Sequence, residues 1–134
     1  MHVYETTVHL HQTDAAGLLF FSRQFEILHD AYEGLLEKIG FGFPSLLREC
    51  DFFLPIVHAE SDYTSPLFVG DDIKVEVTVA AIGNTSFTLQ YKVLKDGSDM
   101  VGAGKTVHVT MDKKSQTKIP LPVKMREGLE SLRK

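Results

Sequence analysis

Residues 22–40 read SRQFEILHDAYEGLLEKIG, and the spacing of their apolar side chains decides the architecture. Phe25, Leu28, Tyr32, Leu35, Leu36 and Ile39 recur at three- and four-residue steps, while Arg23, Glu26, Asp30, Glu33 and Glu37 fall mostly elsewhere. That is the period of a helix burying one stripe and wetting the other. Ser22 stands where an N-cap is expected. Lys38 puts a cation in the last turn, and Gly40 accepts the left-handed backbone at which a helix stops. One long amphipathic helix is predicted.

On either side the period changes to two. Over Val3 to Leu10 the pattern puts Tyr4, Val8 and Leu10 on one side and Glu5, Thr7 and His9 on the other, as in a half-buried strand. Beyond the helix comes a loop carrying Phe41, Phe43 and Pro44, with one short turn through Ser45 to Leu47. A strand of mixed polarity follows from Ile56 to Thr64, bracketed by Pro55 and Pro66. Ile73, Val75, Val77 and Val79 alternate with polar residues, as do Phe87, Leu89, Tyr91 and Val93, and Val101 to Met111 makes a last strand. Gly83-Asn84 and Asp96-Gly97 supply residues that accept positive φ between these runs, so two successive hairpins are predicted. Met125, Leu129 and Leu132 suggest a short C-terminal helix, marginal because Gly128 costs it about 1 kcal/mol relative to Ala. Strand, long helix and four antiparallel strands make an α+β fold: a five-stranded sheet wrapped around one helix and leaning on a second subunit.

The 134 residues fit a single domain, 1–134, and a chain this long buries enough surface to need no metal or disulfide staple. Its one cysteine, Cys50, has no partner in the chain, which points to a reducing compartment. A formal charge of -4 with no basic block lacks the electrostatic footprint of a nucleic-acid binder. The N-terminus has no basic segment leading into an apolar stretch, and no uncharged apolar run is long enough to span a bilayer. A cytoplasmic protein without membrane or nucleic-acid partners is expected.

The chemistry concentrates in Gln12-Thr13-Asp14-Ala15-Ala16-Gly17-Leu18-Leu19-Phe20-Phe21, between the first strand and the helix. One carboxylate sits there among small residues that let a substrate approach the backbone. The apolar run after it can desolvate that carboxylate, and the helix N-terminus offers N–H groups to an oxyanion. Spacing alone favours Asp14 doing no more than closing an Asx turn before the helix. Glu26-x-x-His29 echoes a di-iron helix, and His29 and Glu33 lie one turn apart, but one long helix cannot supply such a site. His9 and His11 share a strand face without a third ligand of suggestive spacing. No metal or separate cofactor is expected. Nucleotide-binding glycine motifs and a nucleophile elbow are both missing.

Thr13-Asp14-Ala15-Ala16-Gly17, followed by Leu18-Leu19-Phe20-Phe21 and the helix, resembles the active-site segment of the 4-hydroxybenzoyl-CoA thioesterase group of the hotdog superfamily. The likeness continues through Leu54-Pro55-Ile56-Val57, Tyr63, Pro66, Gly70-Asp71-Asp72-Ile73 and Ile119-Pro120-Leu121-Pro122. With His29-Asp30-Ala31-Tyr32-Glu33, it looks most like the 1,4-dihydroxy-2-naphthoyl-CoA thioesterases of phylloquinone and menaquinone synthesis. The resemblance implies hydrolysis of an acyl-CoA thioester at subunit boundaries in a homodimer, assembled further to a homotetramer, with CoA entering as part of the substrate. It makes Asp14 the nucleophile or general base, gives the N–H of Phe21 or Ser22 to the thioester carbonyl, and has Gly17 keep the loop tight. Thr13, Phe20, Phe25, His29 and Tyr63 become candidate substrate contacts, with flat apolar packing on an aromatic acyl group. Many bacterial members carry His where this chain has Phe21, so a mechanism using that His does not apply. Gly83-Asn84-Thr85-Ser86 stands where the 4-hydroxybenzoyl enzyme has a basic cluster for the CoA phosphates, leaving Lys113, Lys114 or Lys118 as candidates. An acyl-thioester hydratase using His58 and Glu60 and a non-catalytic acyl-binding module are the alternatives.

Overall fold

A computed structural model describes residues 1–133. Its strands are β1 (His2–Thr7), β2 (Phe52–Phe53), β3 (Ile56–Tyr63), β4 (Asp72–Ile82), β5 (Ser86–Lys95), β6 (Asp99–Val109) and β7 (Met111–Asp112). The helices are α1 (Arg23–Lys38), α2 (Phe43–Glu49) and α3 (Val123–Ser131). Five strands form one antiparallel sheet in the order β1-β4-β5-β6-β3, so β1 and β3 are its edges.

Alternation in β4 and β5 puts Val75, Val77, Val79, Phe87, Leu89 and Val93 on the buried face, beneath α1. The helix turns Gln24, Ile27, Leu28, Ala31, Tyr32, Leu35 and Leu36 toward that face. It lies close enough to β6 that a Cβ on Gly104 would come within 2.5 Å of Leu28 Cδ1. Register shifts at Val79/Ala81, Val93/Leu94 and Ile56/His58 raise local twist and bend the sheet around the helix. The result is the hotdog arrangement that the resemblance implies.

Where α1 stops, Gly40 takes φ +91°, its N–H reaches Glu37 O and the Phe41 N–H reaches Leu36 O. This is the paired Schellman closure that glycine permits. Ser22 holds the N-cap position but makes no side-chain cap bond. Its backbone is already helical (φ -71°, ψ -22°), whereas capping needs the extended conformation that turns the hydroxyl back over the helix.

Other expectations are corrected. The first strand ends at Thr7, because Gln12 Oε1 takes the His9 N–H at 2.8 Å and draws residues 10–12 into a 3-10 turn. Leu10 is consequently 73% exposed instead of buried. Of the two hairpins, only Asp96-Gly97 uses positive φ (51° and 86°), while Gly83 and Asn84 do not. The expected short turn is a full α2, opened by Pro44 in its first turn and anchored by buried Leu46. The β2–β7 pair was not foreseen. The C-terminal helix is docked rather than marginal: Met125 and Leu129 are fully buried, and a Cβ on Gly128 would come within 2.7 Å of Ile39 Cβ. Close packing offsets the poor propensity of glycine.

Candidate active site

The loop from β1 to α1 folds back on itself as a small hairpin. Thr13 pairs with Leu19, the Asp14 N–H bonds Leu18 O at 2.8 Å, and the Gly17 N–H returns to Asp14 O at 3.0 Å. Gly17 has φ +79° with open space around its missing Cβ, so backbone conformation alone selects glycine there. The hairpin is then tied to the segment before β4. Leu19 N–H donates to Leu67 O at 2.7 Å, and Leu18 pairs with Phe68. The Phe68 turn is itself held by Asp71, whose carboxylate accepts from Phe68 N at 2.8 Å and meets Lys95 at 3.3 Å.

Asp14 closes the Asx turn that its spacing permits and also borders a cleft. Its Oδ1 accepts the N–H groups of Ala16 at 2.8 Å and Leu18 at 3.2 Å, which is the Asx turn. Oδ2 accepts nothing among the described residues, and Asp14 lines a cleft of about 470 Å3. One oxygen fixes the carboxylate and the other is free to act. The expected desolvation by the neighbouring apolar run is not achieved, since Asp14 is exposed.

Phe20, Phe21, Gln24, Tyr63 and Pro66 share that cleft with Asp14. The Tyr63 hydroxyl donates to the Phe21 carbonyl, so β3 pins the residue just ahead of the helix N-cap. Among the described residues the N–H groups of Phe21 and Ser22 donate to nothing. Unspent N–H groups at the positive end of a helix favour a developing oxyanion. Sequence reasoning missed Gln24, which is buried and donates through Nε2 to Ser61 Oγ at 2.6 Å and Asp62 O at 3.1 Å. The signal was there: Gln24 falls on the apolar stripe, and Gly102 opposite leaves room for its amide, whose atoms would lie 3.0 Å from an added Cβ.

The remaining candidates divide. Thr13 turns its hydroxyl to Leu10 O at 2.7 Å and serves the loop, outside the cleft wall. Phe25 and His29 line a second cavity further along α1, and His29 also bonds Glu33 at 2.9 Å. Glu26 is paired with Arg23 at 2.8 Å. His58 and Glu60 meet at 2.9 Å on exposed β3 and do not line the Asp14 cleft, so the hydratase pair lacks a pocket there. Lys113, Lys114 and Lys118 also stay off its walls, and Lys113 Nζ is spent on Leu47 O at 3.0 Å.

Residues 8–129 match the family described as the thioesterase-like superfamily. The chain is 35% identical over 133 residues to a 1,4-dihydroxy-2-naphthoyl-CoA hydrolase from Rippkaea orientalis, covering 98% of this chain and 96% of that one. Identity to the protein of that name from Microcystis aeruginosa is 36% over 126 residues, covering 94% and 91%. In three dimensions it is similar to a 1,4-dihydroxy-2-naphthoyl-CoA thioesterase from Synechocystis, with TM-score 0.91, 28% identity and coverage of 98% and 96%. No helix among the described residues is long and apolar enough to cross a membrane. By a family match that spans most of its length, and by the sheet and helix arrangement that accompanies it, the chain belongs to the thioesterase-like superfamily of hotdog proteins.

Proposed function

We propose that this protein hydrolyses an aromatic acyl-CoA thioester, 1,4-dihydroxy-2-naphthoyl-CoA being the substrate suggested by its relatives. One observation carries the reading. A carboxylate locked through Oδ1, with Oδ2 unclaimed among the described residues, lines the same cleft as Phe21, whose N–H, like that of Ser22, is also unclaimed. A thioester carbonyl polarised by those N–H groups is open to a water that Asp14 deprotonates, departure of the CoA thiolate then leaving the free acid, or to attack by Asp14 Oδ2, in which case thiolate departure leaves an Asp14 acyl anhydride that water cleaves to the acid and the regenerated carboxylate. Gly17 and the Asx turn hold the carboxylate, and Tyr63 holds the Phe21 backbone. Phe20 and Phe21 offer flat apolar surface to an aromatic group.

The working unit in this reading is a dimer that assembles further to a tetramer. Edge strand β3 has a free hydrogen-bonding side and is exposed along most of its length. With Phe21 63% exposed and Val57 57% exposed, a second copy is the natural cover. Naphthoyl, benzoyl and short aliphatic CoA thioesters, assayed side by side with a thiol-detecting reagent, test the activity. Free CoA from the aromatic substrates is expected, and saturable binding without thiol release would replace hydrolysis by mere acyl binding. Light scattering tests the assembly, and a monomer at the assay concentration would remove the shared site.

A further inference from the structure

Gln24 puts an amide on the buried stripe of α1, where its neighbours are hydrocarbon apart from the Tyr32 hydroxyl. Nε2 donates to Ser61 Oγ at 2.6 Å and to Asp62 O at 3.1 Å. A carbonyl only accepts, so the second bond fixes which end of the amide is nitrogen, and both of its protons are in use. Replacing a buried hydrogen-bonded set by apolar groups of the same shape is often close to neutral, so stability does not explain an amide here. What it adds over hydrocarbon is direction. Two bonds from one planar group fix both the rotation and the height of a helix end, which apolar contact leaves free to slip.

The end so fixed is the one that carries the unclaimed N–H groups. Among the eight residues of β3, Ser61 alone is less than exposed, so apolar packing gives this edge strand little grip on α1. Two side chains grip instead, and they donate in opposite directions. Gln24 reaches from α1 to Ser61 and Asp62, and Tyr63, the next residue of β3, reaches back to the Phe21 carbonyl. Phe21 to Gln24 is one helical turn, and the N–H groups of Phe21 and Ser22 lie inside it. Gln24, Phe21 and Tyr63 share a cleft with Asp14, while Ser61 stands off its wall. Gly102 on β6 completes the slot, since a Cβ there would stand 3.0 Å from both Asp62 O and the Gln24 amide.

We propose that Gln24 is a positioning residue for the oxyanion: bonded to β3, it holds the first turn of α1 so that the Phe21 and Ser22 N–H groups meet the thioester carbonyl. The proposal rests on the thioesterase reading for that carbonyl. At 2% exposed, Gln24 acts through the helix and not by touching substrate. A misplacement of about 1 Å can cost about a hundredfold in rate, so preventing a smaller drift matters several-fold.

Wild type, Gln24→Met, Ser61→Ala and the double variant are compared by CoA release from naphthoyl-CoA, with thermal melts alongside. Gln24→Met keeps the volume and loses both donors; kcat is expected to fall about fivefold with KM within about twofold. Ser61→Ala changes nothing on the cleft wall, so its expected loss of about two- to threefold reaches the site through Gln24, and the double variant should be no slower than Gln24→Met. Carbonyl binding is read without turnover by titrating S-[2-(2-naphthyl)-2-oxoethyl]-CoA and S-[2-(2-naphthyl)ethyl]-CoA, which differ only in C=O against CH2. Wild type should prefer the ketone about tenfold, and each single variant should bring that ratio toward parity. Wild-type kcat in a Gln24→Met protein with its melt preserved, a raised KM alone, or losses that multiply in the double variant overturn the proposal and leave the thioesterase reading standing. A ketone preference that both variants erode, with no thioester cleaved by wild type, supports the proposal and overturns hydrolysis. No ketone preference and no cleavage overturns both. If Gln24→Met fails to fold, Ser61→Ala decides: a fall in kcat and in the ketone ratio supports the proposal, and wild-type values overturn it.

Discussion

Replacing Asp14 by Asn separates the two tasks that the carboxylate combines. Asn keeps an Oδ1 able to accept from Ala16 N and Leu18 N, at 2.8 and 3.2 Å in the native turn, so the hairpin should persist. What is lost structurally is charge assistance to two exposed hydrogen bonds, each worth about 1 kcal/mol net, and roughly half of that value is the charged share. The expected destabilisation is therefore at most about 1 kcal/mol, or a fall in Tm of about 3–5 °C for a chain this size. The chemistry loses far more, since an amide neither attacks a thioester nor accepts a proton from water near neutral pH. A drop in kcat/KM of at least about a hundredfold, equivalent to about 2.7 kcal/mol of barrier, is expected. Asp14→Ala should lose the same activity and also the turn, lowering stability by about 2 kcal/mol. The assay is CoA release with a thiol-detecting reagent, with thermal melts of all three proteins alongside. An Asn variant within about threefold of wild type, with its melt preserved, would refute a role for the Asp14 carboxylate; Glu26 and Glu33 would be tested next.

Tyr63→Phe removes the donor to the Phe21 carbonyl and should lower kcat about fivefold with little change in KM, because the helix start loses its alignment while the ring wall remains. A raised KM with kcat unchanged in steady-state kinetics would make Tyr63 a simple substrate contact. Stability should also depend on His108. Unfolded, it takes up a proton near pH 6.5; folded, burial prevents this until about pH 3. This contribution is intact above about pH 6.5 and falls by about 1.4 kcal/mol per pH unit as the pH drops from there toward 3. Urea midpoints at pH 7, 5.5 and 4.5 should therefore fall more steeply for wild type than for His108→Gln, and parallel curves would contradict a buried neutral His108.

Legibility from the sequence followed the range of the interaction. Periodicities of 3.6 and 2 revealed α1 and the long strands, because burial of one face imposes the period on the residues themselves. Asp14 stood out since a carboxylate among Ala15, Ala16 and Gly17 ahead of an apolar run is a local pattern. Leu10 was misread because the Gln12 side chain diverts the strand three residues early, a single contact that no period records. Gln24 went unremarked because Ser61, Asp62 and Gly102, remote in the chain, are what give it a buried place.

The order of its residues by itself determined the α+β class, the long helix, and the placing of one carboxylate just before that helix, all of which depend on neighbours a few positions apart. Tertiary structure alone decided that Asp14 spends one oxygen on its own loop, that Tyr63 holds Phe21, and that Tyr32 Oη and His108 Nδ1 are buried without a partner among the described residues. Those outcomes depend on which segments the sheet order β1-β4-β5-β6-β3 brings together across the core. Hydrogen-bond supply and demand is settled between side chains distant in sequence, and it exists only once the chain has closed.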